Sequence, residues 1–379
     1  NMRDFCGTVL LEKKFFITEE QAVTPAEILM GAFTDADKIY INGICCGSSY
    51  DRYASRIYPV APGILRAGEN VVCIHLYVFR GRGGAMPGKQ YGIRFKKGKE
   101  RWLDLSGTWD AQIRKQMEYL PEKTFFNYMA SAMFNGMISP VSPYNICAVI
   151  YYQGESDVGH PNRYALEFRA LVNDWRKSWK EKQLPIIYVQ LAGFSDGNIK
   201  KQGTQWAEFR EVQRQAMEIE NTAMIQAYDV GEYNDLHPMD KKTLGMRAAL
   251  AVHKLVYGEK EECTGPQVRK IRLDRDKRVH AVFDQPLQTG SKKDGCELVS
   301  EVELRKANGD YKRAYVTVDG NEICAWLSDG EEPTGIRYAW KDCPMNICLY
   351  GKRGLPVIPF IKEWGRDAIY TGKICETYR

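Results

Sequence analysis

The sequence has no run of about eighteen apolar residues, so nothing in it reads as a membrane-crossing helix. It has no low-complexity tract and no repeat of fixed period, which excludes fibrous and solenoid architectures. Charge of one sign is nearly balanced: 53 Lys and Arg face 48 Asp and Glu over 379 residues, a net charge of +5. The two signs are interleaved, so no nucleic-acid or membrane partner is implied. Histidine is scarce, at five residues. The eleven cysteines fit no zinc spacing; Cys45-Cys46 are adjacent, and Cys343 and Cys348 are not a CxxC pair. Most cysteines, such as Cys73, Cys147, Cys324 and Cys348, sit inside apolar runs, where a free thiol behaves as a small hydrophobe. The opening residues, Asn1 to Phe5, do not form a signal peptide and do not look like a natural start.

What is present is a chain of two or three domains, with 44% hydrophobic and 27% charged residues. Residues 1–115 read as all-β, with strand-like runs at 9–17, 26–33, 38–44, 70–78 and 91–95. Asn42-Gly43 predicts a type I′ turn, because both turn positions need positive φ. A jelly-roll β-sandwich fits this segment. The glycine-rich stretch 81–84 lacks the Gly-Lys-Ser/Thr ending of a phosphate loop and reads as an inter-strand loop. A linker of mixed character spans 115–134.

From about residue 135 to 260, within a domain taken as 116–262, the pattern becomes strands alternating with helices, hence a parallel sheet with right-handed crossovers. A strand at 147–152, continuously apolar, reads as buried on both faces. A helix at 162–182 carries Tyr164, Phe168, Leu171, Trp175 and Trp179 along one stripe. Pro185 precedes a strand at 186–191, a helix at 206–218 leads to a strand at 223–228, and a third helix is expected to begin at Pro238. From 263 to 379 the β pattern returns at 279–283, 298–304, 311–318, 322–327 and 336–340, forming a C-terminal β domain.

Two polar stretches follow apolar strands and fall where open α/β sheets bind ligands, beyond the strands' carboxyl ends. The first is Gln153-Gly154-Glu155-Ser156-Asp157. Gly154 lets a backbone N–H approach a developing negative charge and the Gln153 amide adds a second donor, as an oxyanion site requires; a plain polar turn is the alternative. Glu155 is a possible general acid, though no second carboxylate at a glycosidase spacing can be assigned. Ser156 lies in Gly-Glu-Ser-Asp-Val-Gly, one residue longer than the Gly-x-Ser-x-Gly elbow. The second stretch runs from Asp229 to Pro238, with His237 at the mouth of a helix. There a histidine would act as general base with Asp235 fixing its tautomer; a helix-capping histidine is the alternative. His75, His253 and His280 show no polar partner in the local pattern and read as structural, and His160 opens a loop before Pro161.

The blocks Tyr151-Tyr152-Gln153-Gly154-Glu155-Ser156-Asp157, Phe134-Asn135-Gly136-Met137-Ile138-Ser139-Pro140, Trp206-Ala207-Glu208-Phe209-Arg210-Glu211-Val212-Gln213 and Leu236-His237-Pro238 together resemble the sialate O-acetylesterases, a carbohydrate-esterase branch of the SGNH hydrolases. The endings Ile336-Arg337-Tyr338-Ala339-Trp340 and Gly354 to Phe360 resemble that family's C-terminal β domain, and the N-terminal β segment its jelly-roll insert. The resemblance implies an α/β fold with an SGNH or flavodoxin-like parallel core. It implies a secreted or periplasmic serine esterase that removes acetyl groups from sialic acid or another sugar. His237 would take the serine proton, with Gln153 and Gly154 around the oxyanion, and no metal or organic cofactor is implied.

The family's Gly-Gln-Ser-Asn-like nucleophile block has no counterpart here; Ser48 and Ser49 follow Gly47 but fall in the β segment. Asn234 also stands where many SGNH enzymes place the acid, leaving Asp235, Asp229 or a backbone carbonyl as the partner. The chain is therefore expected to need a missing N-terminal segment or a partner chain to complete its sheet, and to turn over little alone. A non-catalytic carbohydrate-binding protein is the alternative.

Overall fold

The computed structural model describes residues 5–98, 101–119, 121, 124–195, 202–290 and 301–364. It divides into two compact units, Asn1–Phe126 and Asn127–Arg379.

The first unit is built from two antiparallel sheets. One has five strands in the order Asp110–Gln116, Gly7–Ile17, Gly68–Val78, Ala36–Ile41 and Ile44–Ser49. The other has four, in the order Trp102–Asp104, Tyr91–Phe95, Ala26–Met30 and Ile57–Val60. Alternation explains the core: Val72, Ile74, Leu76 and Val78 turn inward from one sheet and meet Ile28, Ile93 and Phe95 from the other. The expected turn is present, with Asn42 at φ 49° and Gly43 at φ 80°, and it splits the run 38–44 into two strands. The run 26–33 stops at Met30, because Gly31 turns at φ 47° with the Tyr91 ring filling the space a Cβ would need. The 81–84 stretch ends in a two-residue strand, Gly84–Ala85, paired with Phe33–Thr34.

The second unit contains a three-stranded parallel sheet, Val149–Tyr151, Ile186–Gln190 and Thr222–Gln226, in sequential order. Helices Pro161–Ser178 and Gln205–Gln215 cover one face, where Tyr164, Phe168, Val172 and Phe209 pack on Ile186, Tyr188 and Met224. Helix Lys241–Tyr257 covers the other, where Leu244, Ala248 and Ala251 pack on Ile187, Val189, Ala223 and Ile225. The expected three helices are thus present, but the last begins three residues after Pro238. Asp240 is its cap, its carboxylate accepting the Thr243 N–H at 2.9 Å.

The reading of 147–152 as a strand buried on both faces is corrected. Only Val149–Tyr151 is strand, it is paired on one side among the described residues, and Ile150 is 57% exposed. Ile186–Gln190 is the strand buried at all five positions.

Two further four-stranded sheets of this unit are antiparallel: Val268–Leu273, Val279–Phe283, Glu322–Trp326 and Tyr315–Asp319 in one, Tyr311–Arg313, Val302–Arg305, Gly335–Tyr338 and Phe360–Glu363 in the other. Ala314, which is buried, ends one strand and lets the chain pass to the other sheet, so the run 311–318 is two strands. The start of the expected strand 298–304 lies outside the described residues. These sheets are joined to the parallel one. Gln226 donates to the Pro356 carbonyl at 3.3 Å, the Tyr228 hydroxyl donates to the Val357 carbonyl, and Ile358 packs in the core under helices Pro161–Ser178 and Gln205–Gln215.

Candidate active site

The first polar stretch begins as the chain leaves Val149–Tyr151. Gly154 is buried at φ 150°, and a Cβ there would lie 2.8 Å from the Phe209 ring, so only glycine lets the chain turn into the single 3₁₀ turn Glu155–Asp157. Gln153 is held at both ends of its amide: its oxygen accepts from the Tyr151 hydroxyl at 2.7 Å and its nitrogen donates to Asp157 at 2.9 Å. Burial pushes the Tyr151 phenol well above its ordinary range, so it stays a protonated donor. The Gly154 N–H donates to the Glu155 carboxylate at 3.0 Å. Both expected oxyanion donors therefore rest on neighbouring carboxylates.

Behind this loop lies a buried polar frame. Gln213 accepts the Leu191 N–H at 2.9 Å and donates to the Val189 carbonyl at 3.3 Å, while the Tyr188 hydroxyl donates to the Gln213 carbonyl at 2.8 Å. Arg210, fully buried, donates to the carbonyls of Lys341 and Asp342, and burial pulls its guanidinium down to about 10. The block 206–213 thus fixes the ends of the parallel strands and ties them to residues 341–342.

The second stretch follows Thr222–Gln226. Asp229 accepts from both terminal guanidinium nitrogens of Arg247, each at 2.7 Å, with both side chains buried. That carboxylate, weighed as a partner for His237, is engaged in an ion pair. Asp235 is buried and accepts the main-chain N–H of His237 at 2.8 Å. Its described bond thus fixes the backbone of the histidine turn. His237 itself is exposed.

The two stretches lie at the carboxyl ends of strands in the same parallel sheet. The Lys241 ammonium sits 5.2 Å from the centre of the Tyr152 ring, and Tyr152, Val230 and Leu244 pack in one cluster. Helix Lys241–Tyr257, entered four residues after His237, therefore starts beside the residue that precedes Gln153.

Other expected positions are accounted for. Ser156 is exposed on the 3₁₀ turn, and His160 is the exposed residue before helix Pro161–Ser178. The His75 ring lies tilted against that of Tyr40, with ring centres 4.8 Å apart. His253 and His280 do have polar partners, contrary to the local pattern: His253 contacts Glu259 at 2.6 Å, and His280 lies between Glu322 at 2.6 Å and Asp274 at 2.9 Å. The Glu322 contact joins positions 42 apart, beyond local pattern reading. Sequence reasoning also missed Asp157 and Tyr151 as the holders of Gln153, and Arg247. The last was signalled: it follows Leu244 and precedes Ala251 on the buried helix face, where a cation needs an acid. Among the described residues no three His, Cys, Asp or Glu side chains gather as a metal site.

Comparison with known proteins bears on this geometry. Residues 111–254, which hold both stretches, match the family model described as carbohydrate esterase, sialic acid-specific acetylesterase. Human sialate O-acetylesterase is 28% identical over 264 residues, which is 61% of this chain and 48% of that protein. The mouse sialate O-acetylesterase is 30% identical over 275 residues, 62% of this chain and 47% of its own length. The chain thus spans about half the length of the curated relatives it matches. A crystal structure of a carbohydrate acetylesterase from Xanthomonas citri shares the fold, with a TM-score of 0.56 at 21% identity, covering 90% of this chain and 96% of that one. With the family model lying over the two polar stretches, and sialate O-acetylesterases aligning with more than half of the residues, the chain is similar to the sialate O-acetylesterases, a family of carbohydrate esterases.

Proposed function

We propose that this chain carries the histidine side of a serine-esterase site that hydrolyses O-acetyl groups on sialic acid or a related carbohydrate. The observation that carries the reading is the placement of the 153–157 and 229–238 stretches at the carboxyl ends of one parallel sheet, joined by the contact of Lys241 with Tyr152. His237 removes the proton as a serine attacks the acetyl carbonyl, then returns it to the departing sugar hydroxyl. Asp235 holds the turn that presents His237. Gln153 and Gly154 give up Asp157 and Glu155 to the oxyanion, a substitution of one negative acceptor for another that keeps each donor bonded throughout.

The nucleophile in this reading sits on a further strand that joins the open side of Val149–Tyr151, supplied by another segment of the protein or by a partner chain. Exposed Ile150, on that strand, supports a covering element there. The reading takes the parallel sheet as an SGNH-type core, residues 1–115 as a jelly-roll insert and 263–379 as a C-terminal β domain. Secretion or periplasmic placement belongs to the same proposal. The alternative of a non-catalytic carbohydrate binder draws on the resting bonds of Gln153 and Gly154, which leave both donors occupied.

The test is acetate release from an O-acetylated sialic acid by the intact protein. His237→Ala is expected to lower kcat by about 10²–10⁴-fold. Unchanged turnover removes His237 from the mechanism. Sugar affinity without acetate release in the intact protein establishes the binding alternative instead.

A further inference from the structure

The first unit carries a surface that the esterase reading does not use. On its four-stranded sheet, Ile28 and Ile93 point into the core, so their neighbours along each strand point outward. The cross-strand register then sets one outward row: Trp102 opposite Arg94, Arg94 opposite Glu27, Glu27 opposite Pro59. Lys96 and Arg101 flank the row and, with Glu27, Arg94 and Trp102, line an open depression of about 480 Å³.

Three features give this depression a definite chemistry. Trp102 is 40% exposed, although large apolar side chains are usually covered. Its ring crosses onto the neighbouring strand, where a Cβ on Gly92 would lie 2.5 Å from the indole; the missing side chain at 92 is what lets the ring lie there. Among the described lining residues the cations are Arg94, Lys96 and Arg101, and the carboxylate is Glu27. Arg94 donates to Glu27 at 2.8 Å, Lys96 stands 3.5 Å from its other oxygen, and both cations remain half-exposed or more. The Arg94 hydrogen bond is the main reason the Glu27 carboxyl stays below its ordinary range, so it remains an ionised acceptor among donors.

We propose that this depression binds a sugar acid, with the pyranose ring on Trp102, its carboxylate on Arg94, Lys96 and Arg101, and a ring hydroxyl donating to Glu27. Each group meets a need that such a ligand alone combines. The C–H face of a sugar packs on an aromatic ring, and a carboxylate takes paired N–H donors from arginine. A hydroxyl donor is satisfied by the Glu27 carboxylate. A nucleic-acid strand, with one charge per nucleotide, would find only a short basic patch.

The test is calorimetric titration of the full chain bearing His237→Ala with free N-acetylneuraminate and with its methyl ester, which keeps the ring and removes the charge. The variants at Trp102 and Arg94 separate this site from the esterase reading, since both positions lie outside the 153–157 and 229–238 stretches. The acid is expected to bind about tenfold more tightly than the ester, on the strength of charge-assisted hydrogen bonds. Trp102→Ala is expected to weaken both by about tenfold through the lost stacking surface. Arg94→Gln, a change at a half-exposed position that leaves the core untouched, is expected to reduce the preference for acid over ester. Absence of heat with both ligands, equal affinity for acid and ester, or wild-type affinity in Trp102→Ala and Arg94→Gln overturns the proposal.

Discussion

Two strands of the same parallel sheet differ sharply. Ile186–Gln190 is buried at every position, flanked by strands on both sides and by helices on both faces. Val149–Tyr151, just as apolar in sequence, has one paired side among the described residues and leaves Ile150 57% exposed. Hydrophobicity along the chain reports what a strand can tolerate, and neighbours decide what it receives. The interior strand carries the stability, while the outer one ends in the loop that carries the candidate chemistry.

The comparison is best broken from the inside. Asp229→Ala leaves the Arg247 guanidinium buried without its carboxylate and is expected to cost about 3–5 kcal/mol in denaturant unfolding. A loss below about 1 kcal/mol, the scale of an exposed pair, would mean that water reaches the site and the interior is less closed than described. Ile187→Ala, at a position with no exposure, is expected to cost about 2–5 kcal/mol by the same measurement.

At the mouth of helix Lys241–Tyr257 the effect is smaller and depends on pH. Asp240→Ala is expected to cost about 1 kcal/mol at neutral pH through loss of the cap. The hydrogen bonds from Thr243 hold the Asp240 carboxyl below its ordinary 3.8, so the folded state favours the ionised form. That contribution is complete above about pH 5 and fades as pH falls through and below the unfolded carboxylate range, so variant and parent should converge in acid. Parallel unfolding curves at every pH would assign the loss to something other than the charge. The mildest change tests the outer strand: Ile150→Ser is expected to alter unfolding by no more than about 0.5 kcal/mol. A loss equal to that of Ile187→Ala would show that Ile150 is covered in solution.

Local pattern made much of this legible. Alternation at 70–78 and 279–283, the helical stripe through Tyr164 and Phe168, and the glycine turn after Asn42 each follow from periods of a few residues. The positions of the two polar stretches followed from strand-then-loop logic. The details of the candidate site did not. Gln153 is held by Asp157 and Tyr151 through side-chain directions that spacing does not specify. Pro238 was a plausible helix start, but the Asp240 side chain bonds the Thr243 N–H and sets the boundary. His280 gained Glu322 only because two strands pair in one register. The Trp206–Gln213 block was recognisable as a signature, yet its use as a buried strut for the strand ends needed coordinates.

The bonds from Gln226 and Tyr228 to residues 356–357 bear on how this polypeptide could be dissected. A protease cutting between helix Lys241–Tyr257 and the β sheets that follow would sever the covalent chain without freeing a self-sufficient parallel layer. The floor of the parallel layer is furnished by the far end of the polypeptide. Recombinant pieces ending near residue 262 would expose Tyr228 and Ile358's seat to water, so shortened versions meant to isolate the hydrolase-like layer should retain the sequence through at least residue 364.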